Sequence, residues 1–126
     1  MKVKIQVVIE SEDGRVQDVE EVACLKRGTL TAEELGLNLA EAKQILHSVQ
    51  QSLTTQQIRE YTAVRLPCPG CGRKRPQKGH HPIVFRTLFG KLTLDSVRLY
   101  QCDCQAVASR TFSPLPERTE IGRAHV

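Results

Sequence analysis

Cys68-Pro69-Gly70-Cys71-Gly72, answered about thirty residues later by Cys102-Asp103-Cys104, is the stretch of sequence that decides the fold of the second half of this chain. Two close Cys pairs at the ends of a basic segment are how a small ribbon gathers four thiolates around one tetrahedral zinc ion. Gly70 and Gly72 leave the backbone free to turn tightly and to aim N–H groups at the sulfurs. The second pair has one spacer residue, tighter than the usual ribbon, and the gap between pairs exceeds the commonest range. The spacing of Cys68 and Cys71 also suits thiol exchange. A thioredoxin-like βαβ context is missing, however, and two further cysteines wait nearby. The expected metal ligands are therefore Cys68, Cys71, Cys102 and Cys104, holding Zn2+. His80 or His81 can replace a cysteine, but four thiolates already close a tetrahedral site, which leaves the two His on the basic surface.

The chain has 126 residues, three Phe, two Tyr and no Trp. That is enough for one ordinary domain or two very small ones. Small cores of this kind often need a staple, and a structural metal is one. No apolar run approaches a membrane span, and Met1-Lys2-Val3-Lys4 begins no signal-peptide core, so a cytoplasmic chain without a membrane partner is expected. Thiols stay reduced there, and paired cysteines read as metal ligands. The fifth cysteine, Cys24, sits among Val22, Ala23 and Leu25 and reads as a buried small hydrophobe. Net charge is +4 overall, divided as −3 over residues 1–63 and +7 over residues 64–126. This change of sign predicts two functional parts: 1–63, a hairpin and helical region, and 64–112, a basic zinc-ribbon-like module. Residues 113–126 form a tail.

Around these motifs the local pattern is clear in places. Val3, Ile5, Val7 and Ile9 alternate with Lys4 and Gln6, which predicts a half-buried strand. Ser11-Glu12-Asp13-Gly14 is a turn, and Arg15 to Leu25 a less regular return strand. Thr31-Ala32-Glu33-Glu34 fits a capping box opening a short helix that stops at Gly36. Asn38-Leu39-Ala40-Glu41 opens a longer helix expected to run to about Tyr61 or Ala63, before Pro67. Leu39, Ala42, Leu46, Val49 and Leu53 recur along it as a heptad seam. Such a seam packs on a sheet or joins two copies; a homodimer through the Leu39–Leu53 seam is the second of these possibilities. Residues 72–81 read as a loop, and Ile83–Phe89 and Lys91–Tyr100 as two strands around Gly90. The tail Glu120–Val126 continues no pattern. It resembles the conceptual translation of a sequencing adaptor, which implies truncation of the natural protein near Thr119; the alternative is an ordinary frayed terminus.

Arg73, Lys74, Arg75 and Lys78 cluster beside the first Cys pair, with His80 and His81 next to them. Arg65, Arg86, Lys91 and Arg98 extend the run. Such a patch suits phosphate contacts, against the alternative of a solvated loop. No aromatic residues interleave with it, so duplex DNA is expected rather than single strands. Catalysis has little support. There is no phosphate-cradling Gly loop and no His-Glu metalloprotease helix, and four thiolates leave zinc no open position.

Leu35-Gly36-Leu37, Leu39-Ala40-Glu41-Ala42-Lys43, Cys68-Pro69-Gly70-Cys71-Gly72 and Lys78-Gly79-His80-His81 together resemble the N-terminal region of bacterial insertion-sequence transposases of the ISKra group. The likeness continues through Phe85-Arg86-Thr87-Leu88-Phe89-Gly90, Arg98-Leu99-Tyr100 and Cys102-Asp103-Cys104. It implies a DNA-transposition protein whose zinc-bearing N-terminal region binds the element's ends. It also implies a downstream RNase H-like domain of the DDE type, with acidic residues holding two divalent metals. No residue of this chain can be assigned to that domain, so this chain is expected to bind DNA and not to cut it. The expected fold is α+β: an N-terminal β-hairpin, a helical middle with one longer amphipathic helix, and a C-terminal zinc-ribbon-like β module. The alternative function is a zinc-ribbon protein-interaction or assembly module without catalysis.

Overall fold

The computed structural model describes residues 1–105 and 110–115. The adaptor-like segment Glu120–Val126 lies outside the described residues. Two compact units divide the chain, Met1–Leu53 and Thr54–Val126. The mixed α+β character is as the sequence predicts, with an N-terminal hairpin, one described helix and a second sheet.

In the first unit, β1 (Lys2–Glu10) and β2 (Val16–Lys26) pair antiparallel. Their turn is closed by Ser11 N–H donating to the Arg15 carbonyl (2.8 Å) and Gly14 N–H to the Ser11 carbonyl (2.9 Å). Gly14 takes φ +86°, a conformation a Cβ would resist. The uneven pattern of the return strand has a cause in the ladder. Ile5 faces Ala23 while Gln6 faces Glu21, and Ile9 faces Asp18 while Glu10 faces Val16. Val22 and Gln17 are therefore extra residues at bulges, and each shifts the alternation by one. Cys24 is exposed. This corrects the expectation of a buried thiol: Cys24 lies on the half of the strand that faces solvent opposite Lys4.

The short helix expected over 31–36 does not form; those residues make turns. The reason is the Glu34 carboxylate. Instead of reaching back to Thr31, it accepts from Thr29 Oγ1 (2.7 Å), Thr29 N–H (3.0 Å) and Gly28 N–H (3.4 Å). Gly36, at φ +66°, then turns the chain away. Arg27 ties this segment down, donating to the Gly36 carbonyl (2.8 Å) and pairing with Glu41 (2.6 Å).

The second capping box does form. Asn38 Oδ1 accepts from Glu41 N–H (2.8 Å), and Glu41 Oε1 accepts from Asn38 N–H (3.1 Å). It opens α1 (Leu39–Arg65), a 27-residue helix that runs past the expected end. Its last turn is held by Arg65, whose guanidinium donates to the Tyr61 carbonyl (3.0 Å) and covers the Tyr61 ring. Ser52 is buried on this helix, whereas Leu39, Leu46 and Leu53 of the heptad seam are 71%, 44% and 52% exposed. No described helix is long and apolar enough to cross a membrane.

In the second unit, β3 (Gln77–Thr87), β4 (Gly90–Tyr100) and β5 (Thr111–Phe112) form an antiparallel sheet in the order β3-β4-β5. β3 starts six residues before the predicted Ile83, so Lys78, His80 and His81 belong to a strand and not to a loop. Lys78 is the extra residue of a bulge, since Gln77 faces Leu99 and Gly79 faces Arg98. β4 is central, and its buried face changes along its length: Leu92 and Leu94 are buried in one phase, Val97 and Leu99 in the other. The slip in its alternation is Ser96, fully buried, with its hydroxyl satisfied by Ser113 Oγ at 2.9 Å. Phe85, Leu92 and Leu94 form the core cluster, and Ile58 of α1 and Ile83 pack against it.

Candidate metal centre

The hairpin explains how cysteines so far apart in sequence meet. β3 follows the first Cys pair and β4 precedes the second, so the two pairs emerge together at the open end of one hairpin. The first pair sits on a tight turn: Cys68 N–H donates to the Arg73 carbonyl (2.8 Å), and Gly72 N–H to the Cys68 carbonyl (2.8 Å). Gly72, at φ +76°, lets the chain reverse. An isolated bridge between Pro67 and Lys74 closes the loop. The second pair is fixed from the sheet side. Tyr100 N–H donates to the Pro76 carbonyl (3.0 Å), Gln101 N–H to the Arg110 carbonyl (2.8 Å), and Gln105 N–H to the Cys102 carbonyl (2.9 Å).

The four sulfurs of Cys68, Cys71, Cys102 and Cys104 lie within 4.8 Å of one another. Cys68 Sγ is 3.4 Å from Cys104 Sγ, and Cys71 Sγ is 3.4 Å from Cys102 Sγ. A tetrahedron with metal–sulfur bonds of about 2.3 Å has edges of about 3.8 Å, inside the range these sulfurs span. The residues therefore fit a tetrathiolate site that can hold one metal ion, and the soft, all-sulfur donor set suits zinc. Outer donors are present as well. Gly70 N–H points at Cys68 Sγ (3.4 Å), and the Gln105 amide nitrogen lies 3.6 Å from Cys68 Sγ and 3.4 Å from Cys104 Sγ.

The electrostatics are those of crowded thiols. Backbone donation around Cys71 and Gly70, with help from neighbouring thiols, brings Cys68 down to about 6 against the cost of burial. Cys71 is also lowered, first by the Arg73 backbone N–H. Cys104 is pushed up to about 12: the Gln105 amide lowers it, but the adjoining sulfurs of Cys68, Cys102 and Cys71, together with burial, outweigh that. The shifts differ in sign because thiols this close resist ionising together, a repulsion that a bound cation would relieve. A low thiol pKa also belongs to redox cysteines. Here Cys68 is only 2% exposed, and its short sulfur contact is with Cys104 rather than with Cys71, the partner that a two-spacer redox couple would use.

The predicted basic residues do not form a single patch. Arg73 is held by the cluster, its guanidinium donating to the Cys71 sulfur, which raises its pKa. Arg75 is half-buried: it donates to the Arg65 carbonyl (2.9 Å) and lies 4.8 Å from the Phe112 ring centroid. Lys74 is exposed. Arg98 is exposed on β4 and donates to Thr111 Oγ1 (3.2 Å). Arg86 and Lys91 face each other at the far end of the hairpin. Tyr100 lies nine steps along the strand from Lys91, about 30 Å at 3.3 Å per residue, so this pair is remote from the sulfurs. His80 pairs with Asp95 (3.0 Å), and His81 Nδ1 is buried with no partner among the described residues. Neither His belongs to the sulfur cluster. Sequence reasoning missed Gln105, Arg110 and Tyr100 as neighbours of the site. Gln105 alone left a signal, since it directly follows the last cysteine. Compared with protein-family models, curated proteins and solved structures, the chain gives no match.

Proposed function

We propose that the second unit is a zinc-organised DNA-binding module, the N-terminal DNA-binding region of an insertion-sequence transposase that contacts duplex DNA at the element's ends. The observation that carries this reading is the convergence of four sulfurs at the open end of a hairpin, flanked by the exposed Lys74 and its basic neighbours. The ion would be held by Cys68, Cys71, Cys102 and Cys104 and would supply rigidity, not chemistry, because four thiolates leave it no open position. Lys74, Lys78, Arg98 and Arg110 are exposed cations on the segments that lead to that end of the hairpin. Four phosphate contacts imply a log–log salt slope of about −3.6.

The test is a fluorescent DNA duplex titrated with metal-loaded protein across a salt series, beside a chelated control. Binding that weakens with salt at roughly that slope and disappears on chelation supports the reading. Lys74→Gln should weaken binding to all sequences alike and reduce the slope by about 1. Affinity unchanged by chelation and by Lys74→Gln would refute it.

A second reading, an assembly module, draws on the exposed leucines at every seventh position, Leu39, Leu46 and Leu53. A homodimer through this seam predicts a concentration-dependent mass in light scattering, abolished by Leu46→Lys. A monomer at high concentration would exclude it.

A further inference from the structure

Beside the metal centre lies an open groove of about 660 Å³. That is within the range of about 300–1,000 Å³ typical of sites for small organic groups. We infer that this groove receives an unpaired nucleotide of a DNA strand, its base against the Tyr100 ring and its flanking phosphates on Lys74 and Arg110. The inference rests on the DNA-binding reading and specifies the form of strand that the site takes.

Three observations converge on it. The first is charge. Among the described residues, Arg73, Lys74, Arg75 and Arg110 line the groove against one acid, Asp103. Arg73 and Arg75 are committed to the fold, to the Cys71 sulfur and to the Arg65 carbonyl. Lys74 and Arg110 are exposed, and neither has a side-chain partner among the described residues, so both present their charge to solvent where phosphate oxygens would meet it. The second is the aromatic surface. Tyr100 lines the same groove and is 39% exposed. Phe85 is in the core, Phe112 lies against the Arg75 guanidinium, and Phe89 is at the opposite, closed end of the hairpin. The third is rigidity. Backbone bonds from Tyr100 N–H to the Pro76 carbonyl and from Gln101 N–H to the Arg110 carbonyl fix the backbone that carries the ring against the segments that carry the cations.

A ring and two free cations in one concavity match a base and its phosphates. Stacking needs a base face, and in a duplex both faces of an internal base are covered by its neighbours. The exterior of a duplex is also convex and meets the rim of such a groove rather than its floor. A single-stranded extension or a frayed end satisfies both conditions.

The experiment uses the full metal-loaded chain and two fluorescent probes, a blunt duplex and the same duplex with a short single-stranded extension. The extension should bind more tightly by about 5- to 150-fold, the range for one stacked base. Tyr100→Ala and Tyr100→Leu should remove that gain and leave blunt-duplex affinity unchanged, while Tyr100→Phe keeps it. Metal content, measured on each variant, shows that the site is intact; Tyr100→Leu retains apolar volume if Tyr100→Ala does not fold. Equal affinity for the two probes, or a gain that survives in Tyr100→Leu, overturns the groove inference and leaves duplex binding standing. Failure to bind either probe overturns both.

Discussion

Replacing Cys102 with Ser removes one of four sulfurs that lie within 4.8 Å of one another and leaves the hairpin that carries them unchanged. Structural tetrathiolate zinc sites bind with dissociation constants of about 10⁻⁷ to 10⁻¹² M at neutral pH. Shared evenly among four ligands, that range makes each sulfur worth about 10²- to 10³-fold in metal affinity. Cys102→Ser should therefore weaken zinc binding by that factor in a competition titration with a chromogenic chelator. Thiol counting gives an independent readout. The chain has five cysteines and the cluster uses four, so the metal-loaded protein should expose one fast-reacting thiol, Cys24, which is exposed on β2. After chelation all five should react. In Cys24→Ser the fast class should vanish from the loaded protein. Two results would refute the reasoning: a loaded protein in which Cys71 and Cys104 react as fast as Cys24, or a Cys102→Ser variant with undiminished affinity.

Other consequences concern the scaffold. Gly70→Ala would drive a Cβ into the Gln105 amide nitrogen and bring it within 3.4 Å of Cys104 Sγ. Gln105 must swing off the sulfurs, so metal affinity should fall by about 10- to 100-fold, and Gln105→Ala should cost a similar amount with little added in the double variant. Leu92, fully buried in the core cluster, should lose about 2–5 kcal/mol on Leu92→Ala in a chemical denaturation series. Asn38→Ala removes the acceptor for Glu41 N–H and should cost about 1 kcal/mol, read from helix signal in circular dichroism. Glu41 has its pKa held below the ordinary 4.5, first by the Arg27 guanidinium and then by Asn38 N–H. Its stabilising contribution is full above pH 4.5 and is lost as pH falls through the lowered value. Glu41→Gln should flatten the acid limb of the stability profile, and an unchanged limb would show that the pair contributes nothing.

Several features could be read without coordinates because they depend on neighbours in sequence. The Asn38–Glu41 cap needs only a side chain that reaches three residues along, and it formed. The alternation of Ile5, Val7 and Ile9 states which face of β1 is half-buried. The Thr31–Glu34 box has the same local grammar and failed, because Glu34 found better donors at Gly28 and Thr29 on the preceding turn. β5 is two residues long, too short to carry any period, and exists because the edge of β4 accepts it.

The seam on α1 shows the same boundary. Periodicity located the leucines on one stripe, but it says nothing of what covers the stripe, and here Leu39, Leu46 and Leu53 meet solvent. The basic residues were likewise visible as a count. Their separation into Arg73 and Arg75 bound to the fold, Arg86 and Lys91 at the remote turn, and Lys74 left exposed depends on strand direction and register.

What the sequence determined by itself was chemistry: four thiols of the right type and pairing, and a basic half to carry them. Only the tertiary structure decided that the thiols meet, that neither His80 nor His81 joins them, and that Tyr100 and Arg110 flank the same groove. The physical reason is that ligand type is a property of a residue. Convergence is a property of an antiparallel hairpin, which brings together at its open end the residues that lie farthest apart along the strands.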